Sequence, residues 1–235
     1  RHAGPGASRP RSGHRHAVTA RRIALGLAVA AALFVAVCAV RAARLDSYTV
    51  DAPGPDPALA GADIPLERFA GALRLPTIST QDSAQFDPAP FLAFHEYLRA
   101  AYPALHRRLT REIVNGYSLL YAWQGTDTTL DPFLLMGHLD VVPVEPGTES
   151  RWTHPPFGGV VRDGYVLGRG ALDDKASLMA IFEAVELLVG RGFEPRRTVY
   201  LAFGHDEEIG GWSGAKNLAG LLSTRTGRLA FVLDE

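Results

Sequence analysis

Three short apolar runs in the second half of this chain each end in a cluster of acid or imidazole side chains, and helical repeats separate them. Pro132–Gly137 (PFLLMG) leads into His138-Leu139-Asp140, Thr198–Gly204 (TVYLAFG) into His205-Asp206-Glu207-Glu208, and Leu229–Leu233 (LAFVL) into Asp234-Glu235. Between the first two, Leu178, Ile181, Phe182, Val185, Leu188 and Val189 recur at helical spacing over Lys175–Val189. Gly214–Leu222 is a shorter helix between the last two. Apolar runs bounded by turn residues suit buried strands, and strand–helix–strand alternation predicts an α/β fold. The expected architecture is a mixed, largely parallel sheet flanked by helices, with every acid cluster on the rim formed by the strands' carboxyl ends, where open α/β sheets collect ligands.

Ahead of these elements, Tyr117–Trp123 reads as a further buried strand. Leu66, Phe69, Leu73 and Leu75 mark a short amphipathic helix, and Pro88–Ala101 a longer one that Pro103 ends. The composition supports a packed domain: 47% hydrophobic and 21% charged residues exclude a disordered chain, and 24 Gly with 16 Pro show no collagen-like triplet. A lone Cys38 excludes an internal disulfide framework and a multi-cysteine zinc site. The net charge of −1 hides an asymmetry: residues 1–44 hold eight Arg and no acid, leaving 16 bases against 25 acids in the rest. Nucleic acid is not an expected partner of so acidic a body.

Residues 23–40 (IALGLAVAAALFVAVCAV) carry no charge and would span about 27 Å as a helix, the lower edge of a membrane crossing. Six Arg precede them and two follow closely, so the positive-inside bias places residues 1–22 as a basic cytoplasmic tail and exports the remainder. A cleaved secretory signal is the alternative to a retained anchor. Residues 41–63, rich in Pro, form a tether, and the folded region runs over 64–235. Arg at position 1 and an acid pair directly after the last apolar run suggest a piece of a longer protein.

Each rim cluster has a plain explanation by itself. His138-x-Asp140 could be a surface turn, Asp173-Asp174 an N-cap before the helix at Lys175, Glu207-Glu208 a solvated loop, and Asp234-Glu235 a loop start. Together on one rim, however, they would repel and lose solvation unless cations sat among them. A mixed imidazole and carboxylate set suits Zn2+ or a similar ion, and its size suits two ions better than one.

The segments LLMGHLDVVP (134–143), RWTHPPFGGVVRDGYVLGRGALDDKASLMA (151–180), GHDEEIGG (204–211) and VLDE (232–235) resemble the dinuclear zinc exopeptidase and amidohydrolase family. That family includes carboxypeptidase S, aminoacylase, glutamate carboxypeptidase and succinyl-diaminopimelate desuccinylase. WTHPPFGG and GHDEE are most similar to its carboxypeptidase S and N-fatty-acyl-amino-acid hydrolase branch. The resemblance implies that His138 ligates one zinc, with Asp140 orienting it. It makes Asp173 the bridge between two zincs, usually followed by a cis peptide. Glu207 is then the general base and Glu208 a ligand of the second zinc. The fourth acid is Glu235 or Asp234. The implied reaction is hydrolysis of an amide bond next to a free amino acid, in a small peptide or N-acyl amino acid, by a metal-activated water. A fifth ligand, a distant His, and a substrate-binding lid domain through which a homodimer could form lie outside this chain. His14, His16, His95 and His106 lie outside these segments, and neither they nor His154, within one, is given a role. A membrane-tethered, non-catalytic relative is the alternative function. A nucleotide site at Gly168-x-Gly170 lacks the third Gly.

Overall fold

The computed structural model describes residues 13–45 and 66–235, so most of the tether assigned to 41–63 and the domain start near Ile64 lie outside the described residues, while residues 41–43 of that tether are helical instead. The chain divides into two units, Arg1–Gly61 and Ala62–Glu235. In the first, helix α1 (Gly13–Ala43) extends beyond the apolar run on both sides. Its Arg21–Ala43 stretch is exposed along its whole length and long and apolar enough to cross a membrane.

The second unit holds α2 (Leu66–Leu73), α3 (Ala89–Ala101), α4 (Pro103–Arg108), β1 (Thr110–Val114), β2 (Ser118–Trp123), β3 (Phe133–His138), β4 (Val160–Arg162), β5 (Tyr165–Leu167), α5 (Lys175–Gly190), β6 (Val199–Gly204), α6 (Ala215–Arg225) and β7 (Val232–Leu233). The main sheet has the order β1-β2-β6-β3-β7. It is mixed: β6, β3 and β7 run parallel, whereas β1–β2 and β2–β6 are antiparallel. Strand β1, helix α4 and the β4–β5 hairpin carry no strong apolar period. The turns that close the two hairpins were nonetheless written in the chain as Asn115-Gly116 and Asp163-Gly164, all four residues at positive φ.

Alternation along the strands sorts side chains to two faces. Leu119, Tyr121, Trp123, Leu201 and Phe203 pack on α3, α4 and α5 through Phe94, Leu98, Leu105, Leu178 and Phe182. Leu120, Leu134 and Ala202 point the other way, against Leu218 and Leu222 of α6. Truncating Phe182, fully buried in the larger core, to Ala would cost about 3–5 kcal/mol. Pro103 cannot extend α3 and instead opens α4, whose free Ala104 and Leu105 N–H groups donate to the Glu186 carboxylate of α5 at 3.0 and 2.7 Å. What this framework does for the rim is set its register. Parallel pairing places His138 opposite Gly204, so β3 and β6 end together and the acids that follow them turn off the sheet side by side.

Candidate metal centre

His138 ends β3 almost fully buried, and Leu139 passes its N–H to Gly204 O at 2.7 Å. Asp140 then returns to the His138 side, as a two-residue spacing in extended chain requires. The His138 Nδ1 lies 2.9 Å from the Asp140 carbonyl and 3.2 Å from its carboxylate. Both are acceptors, so Nδ1 carries the proton and Nε2 is the nitrogen presented to the rim. There it meets three carboxylates: Asp173 Oδ1 at 3.0 Å, Glu235 Oε2 at 3.3 Å and Glu207 Oε2 at 3.8 Å. Donor atoms of His138, Asp173 and Glu208 lie within 4.8 Å of one another, and so do those of His138, Glu207 and Glu235.

Asp140 is fully buried and accepts from Ser79 Oγ, Glu207 N and Glu208 N at 2.5, 3.1 and 3.1 Å. One carboxylate thus aims the imidazole and pins the turn that carries both glutamates. The Asp173–Asp174 peptide is cis. Asp174 is not a side-chain cap for α5. Its carboxylate is buried against β3, where Oδ2 accepts His138 N at 3.1 Å and Oδ1 has no hydrogen-bond partner among the described residues.

The two adjacent pairs separate. In His205-Asp206-Glu207-Glu208, His205 turns to Ser118 Oγ at 2.6 Å, and Asp206 accepts Ser213 N and Gly214 N at 2.7 Å each, so only the glutamates face the rim. In Asp234-Glu235, the Glu235 carboxylate reaches His138, while the Asp234 carboxylate accepts, among the described residues, only its neighbour's N–H. Both acids still line one cavity of about 220 Å³ with His138 and Glu207. His95 and His106 are structural, bonded to the Tyr117 and Tyr102 carbonyls, and His154 lines a separate cavity of about 810 Å³.

Charge follows geometry. Burial lowers the His138 pKa, but Asp140, Asp173 and Glu235 outweigh it and push it up to about 10. Burial raises Glu235, to about 7, with His138 opposing and Asp174, Asp173 and Glu207 adding to the rise. Burial and the nearby Asp173 likewise raise Glu208. Burial also acts upward on Asp140, yet the hydrogen bonds from His138 and Ser79 hold it below the usual carboxylate range. A cluster that so favours positive charge, with one imidazole nitrogen and several carboxylate oxygens converging, fits divalent cations of the zinc type. The sequence pointed to Asp174 only as a possible helix cap beside Asp173, and gave Ser79 and Lys175 no role; Lys175 left a trace as a charged residue in phase with the buried Leu178, Phe182 and Val185 face of α5.

Fold and site together define a class: an α/β protein whose strand-end rim is a cluster of metal-type donors. Residues 134–234 match the model of Peptidase family M20/M25/M40 and form a domain of that family. The chain is 48% identical over 178 residues to a probable carboxypeptidase S-like 2 of Dictyostelium discoideum, covering 74% of this chain and 34% of that protein. It is 43% identical over 171 residues to the Mus musculus N-fatty-acyl-amino acid synthase/hydrolase PM20D1, covering 72% and 33%. The chain therefore spans about a third of the length of the curated relatives it matches. Among solved structures, the fold matches human carnosine dipeptidase 1 at TM-score 0.57 and 20% identity, covering 72% of this chain and 37% of that one. It matches the M20 family metallo-carboxypeptidase Sso-CP2 from Sulfolobus solfataricus at TM-score 0.57 and 24% identity, covering 72% and 36%.

Proposed function

We propose that the complete protein is a zinc-dependent hydrolase of an amide bond next to a C-terminal free amino acid, acting on small peptides or N-acyl amino acids. The names of its relatives support the substrate class. The observation that carries the reading is the His138 Nε2, turned by Asp140 onto three carboxylates. His138, Asp173, Glu208 and one of the pair Asp234 and Glu235 would hold two Zn2+ ions; the shorter approach favours Glu235. Bound zinc supplies Lewis acidity, polarising the scissile carbonyl and making water a stronger acid. Asp140 keeps the imidazole in its ligating tautomer. Glu207, half exposed beside the cluster, takes the proton from the attacking water and hands it to the departing amine.

Helix α1 supports a membrane anchor with residues 1–22 inside and the catalytic region outside, or an export signal if it is cleaved. Its Arg21–Ala43 stretch is about 35 Å long at helical rise, enough for a bilayer core. The residues between α1 and position 64 would be the tether and 64–235 the first part of the catalytic domain.

The test is hydrolysis of N-acyl amino acids and short peptides by the complete protein, with chelator and with zinc restored. Turnover that needs zinc and disappears when the substrate's terminal carboxylate is amidated supports the reading. Zinc binding without turnover of any such amide would instead make it a tethered binding relative. Carbonate-resistant membrane association of the intact chain, abolished by deleting 23–40, checks the anchor.

A further inference from the structure

We propose that Ser79 is a positioning residue of this centre, holding the Asp140 carboxylate in the one rotation that serves both His138 and the Glu207–Glu208 turn. The proposal rests on the reading that the cluster binds metal.

The Asp140 carboxylate has no exposure, and its two oxygens meet four donors. Oδ1 lies 3.1 Å from Glu207 N and 3.2 Å from His138 Nδ1, and Oδ2 lies 3.1 Å from Glu208 N and 2.5 Å from Ser79 Oγ. Three of those donors belong to the elements that carry the centre. The fourth, and the shortest, comes from a different part of the chain. Without it, Oδ2 keeps one partner, and the carboxylate can rotate toward the remaining donors on Oδ1. Such a rotation would carry the Glu208 N–H and the imidazole with it.

Ser79 is equipped to resist this. It is 2% exposed, and it lies at the end of a strap, residues 75–79, that runs beside residues 139–141. Ser79 N donates to Val141 O and Val141 N to Thr77 O, at 3.3 and 2.9 Å, and Ile78 pairs with Val141 in a parallel bridge. Thr77 Oγ1 donates to Leu139 O at 2.6 Å. The other end of the strap is fastened from α5. The Lys175 ammonium, with no exposure, donates to Leu75 O at 2.6 Å and Ala72 O at 3.0 Å and rests 4.7 Å from the Phe94 ring centre. Lys175 follows Asp173 and Asp174 directly, so the strap ties the segment bearing Asp173 to the serine that aims Asp140.

A serine that only stabilises the fold and one that positions the centre differ in a measurable way. The comparison is Ser79→Ala against Thr77→Val in the complete protein, because both delete a buried hydroxyl of the same strap and only the first hydroxyl touches Asp140. Zinc affinity is read by competition with a chromophoric chelator, and urea midpoints of the metal-free forms give the structural cost. The expected result is a fall in zinc affinity of about 10–100-fold for Ser79→Ala, the range for losing an outer partner of a metal ligand. Thr77→Val should stay within about threefold of the parent, and Ser79→Thr, which keeps the donor, should recover most of the loss. If Ser79→Ala does not fold, Ser79→Cys, a weaker donor, is read in its place and should lie between parent and the expected alanine value. Equal affinity losses in Ser79→Ala and Thr77→Val, or Ser79→Ala (Ser79→Cys where it stands in) binding zinc as tightly as the parent, would overturn the proposal alone. A parent that binds zinc no better than Glu208→Gln overturns the metal reading, and this inference with it.

Discussion

Gly137→Ala tests how the sheet and the centre are joined. Gly137 is buried in β3 one residue before His138, and a Cβ built there would lie 2.2 Å from Asp174 Oδ2 and 3.4 Å from its Cγ. Asp174 is 1% exposed, and that same oxygen accepts the His138 N–H at 3.1 Å. The methyl group and the carboxylate cannot both stay. Overpacking of this kind costs about 1–3 kcal/mol. Pushing the carboxylate aside also strands a buried N–H, at about 1–3 kcal/mol more. The expected loss is therefore about 2–6 kcal/mol, together with weaker zinc binding, because His138 moves with its backbone. The assay is urea unfolding of the complete protein, read as a midpoint shift at unchanged slope. Gly190→Ala is the control: it ends α5 with nothing within 4 Å of its Cβ position, and should be neutral or gain up to about 1 kcal/mol. The double variant Gly137→Ala with Asp174→Ala should be less damaged than the sum of the singles, since it removes the clashing partner. A Gly137→Ala loss below about 1 kcal/mol, or additivity within about 0.5 kcal/mol, would refute the reasoning.

Glu208→Gln should weaken zinc binding, whereas Glu207→Gln should keep the metal and lose about 10²–10⁴ in kcat, the range for a positioned base; equal metal loss in both would show the pair assigned the wrong way round. Glu235→Gln should reduce zinc affinity at least about tenfold and Asp234→Asn by less than threefold, and the reverse pattern would make Asp234 the fourth ligand. Zinc loading should release protons, because Nε2 must be bare to bind metal while its neighbours push His138 up to about 10. About one proton is expected at pH 8. At pH 7 Glu235, pushed up to about 7, adds about half of another, so affinity falls as pH falls. Calorimetry in buffers of different ionisation enthalpy measures this, and release that is absent at both pH values would count against the assignment.

Much of this molecule is legible locally. The apolar runs that became β3, β6 and β7, the repeat that became α5, and the acid or imidazole residues after each run are properties of short segments. Periodicity and residue chemistry report such properties directly. Strand β1, helix α4 and the β4–β5 hairpin escaped because their apolar signal is short, although the turn residues at Asn115-Gly116 and Asp163-Gly164 were there to be read. No local pattern distinguishes Asp206 from Glu207 or Asp234 from Glu235, because neighbours of like chemistry differ only in the direction the backbone turns them. That direction is set by partners far along the chain: Ser213 and Gly214 for Asp206, Asp140 for the glutamates, His138 for Glu235. The same holds for Asp174, which reads as a helix cap and is instead held by a β3 backbone group 36 residues away. Ser79 meets Asp140 across 61 residues. The order of the residues determined which donors the rim would have. Only the packing of the sheet against its helices decided which of them face one another, because a buried carboxylate goes where hydrogen-bond donors offset its desolvation.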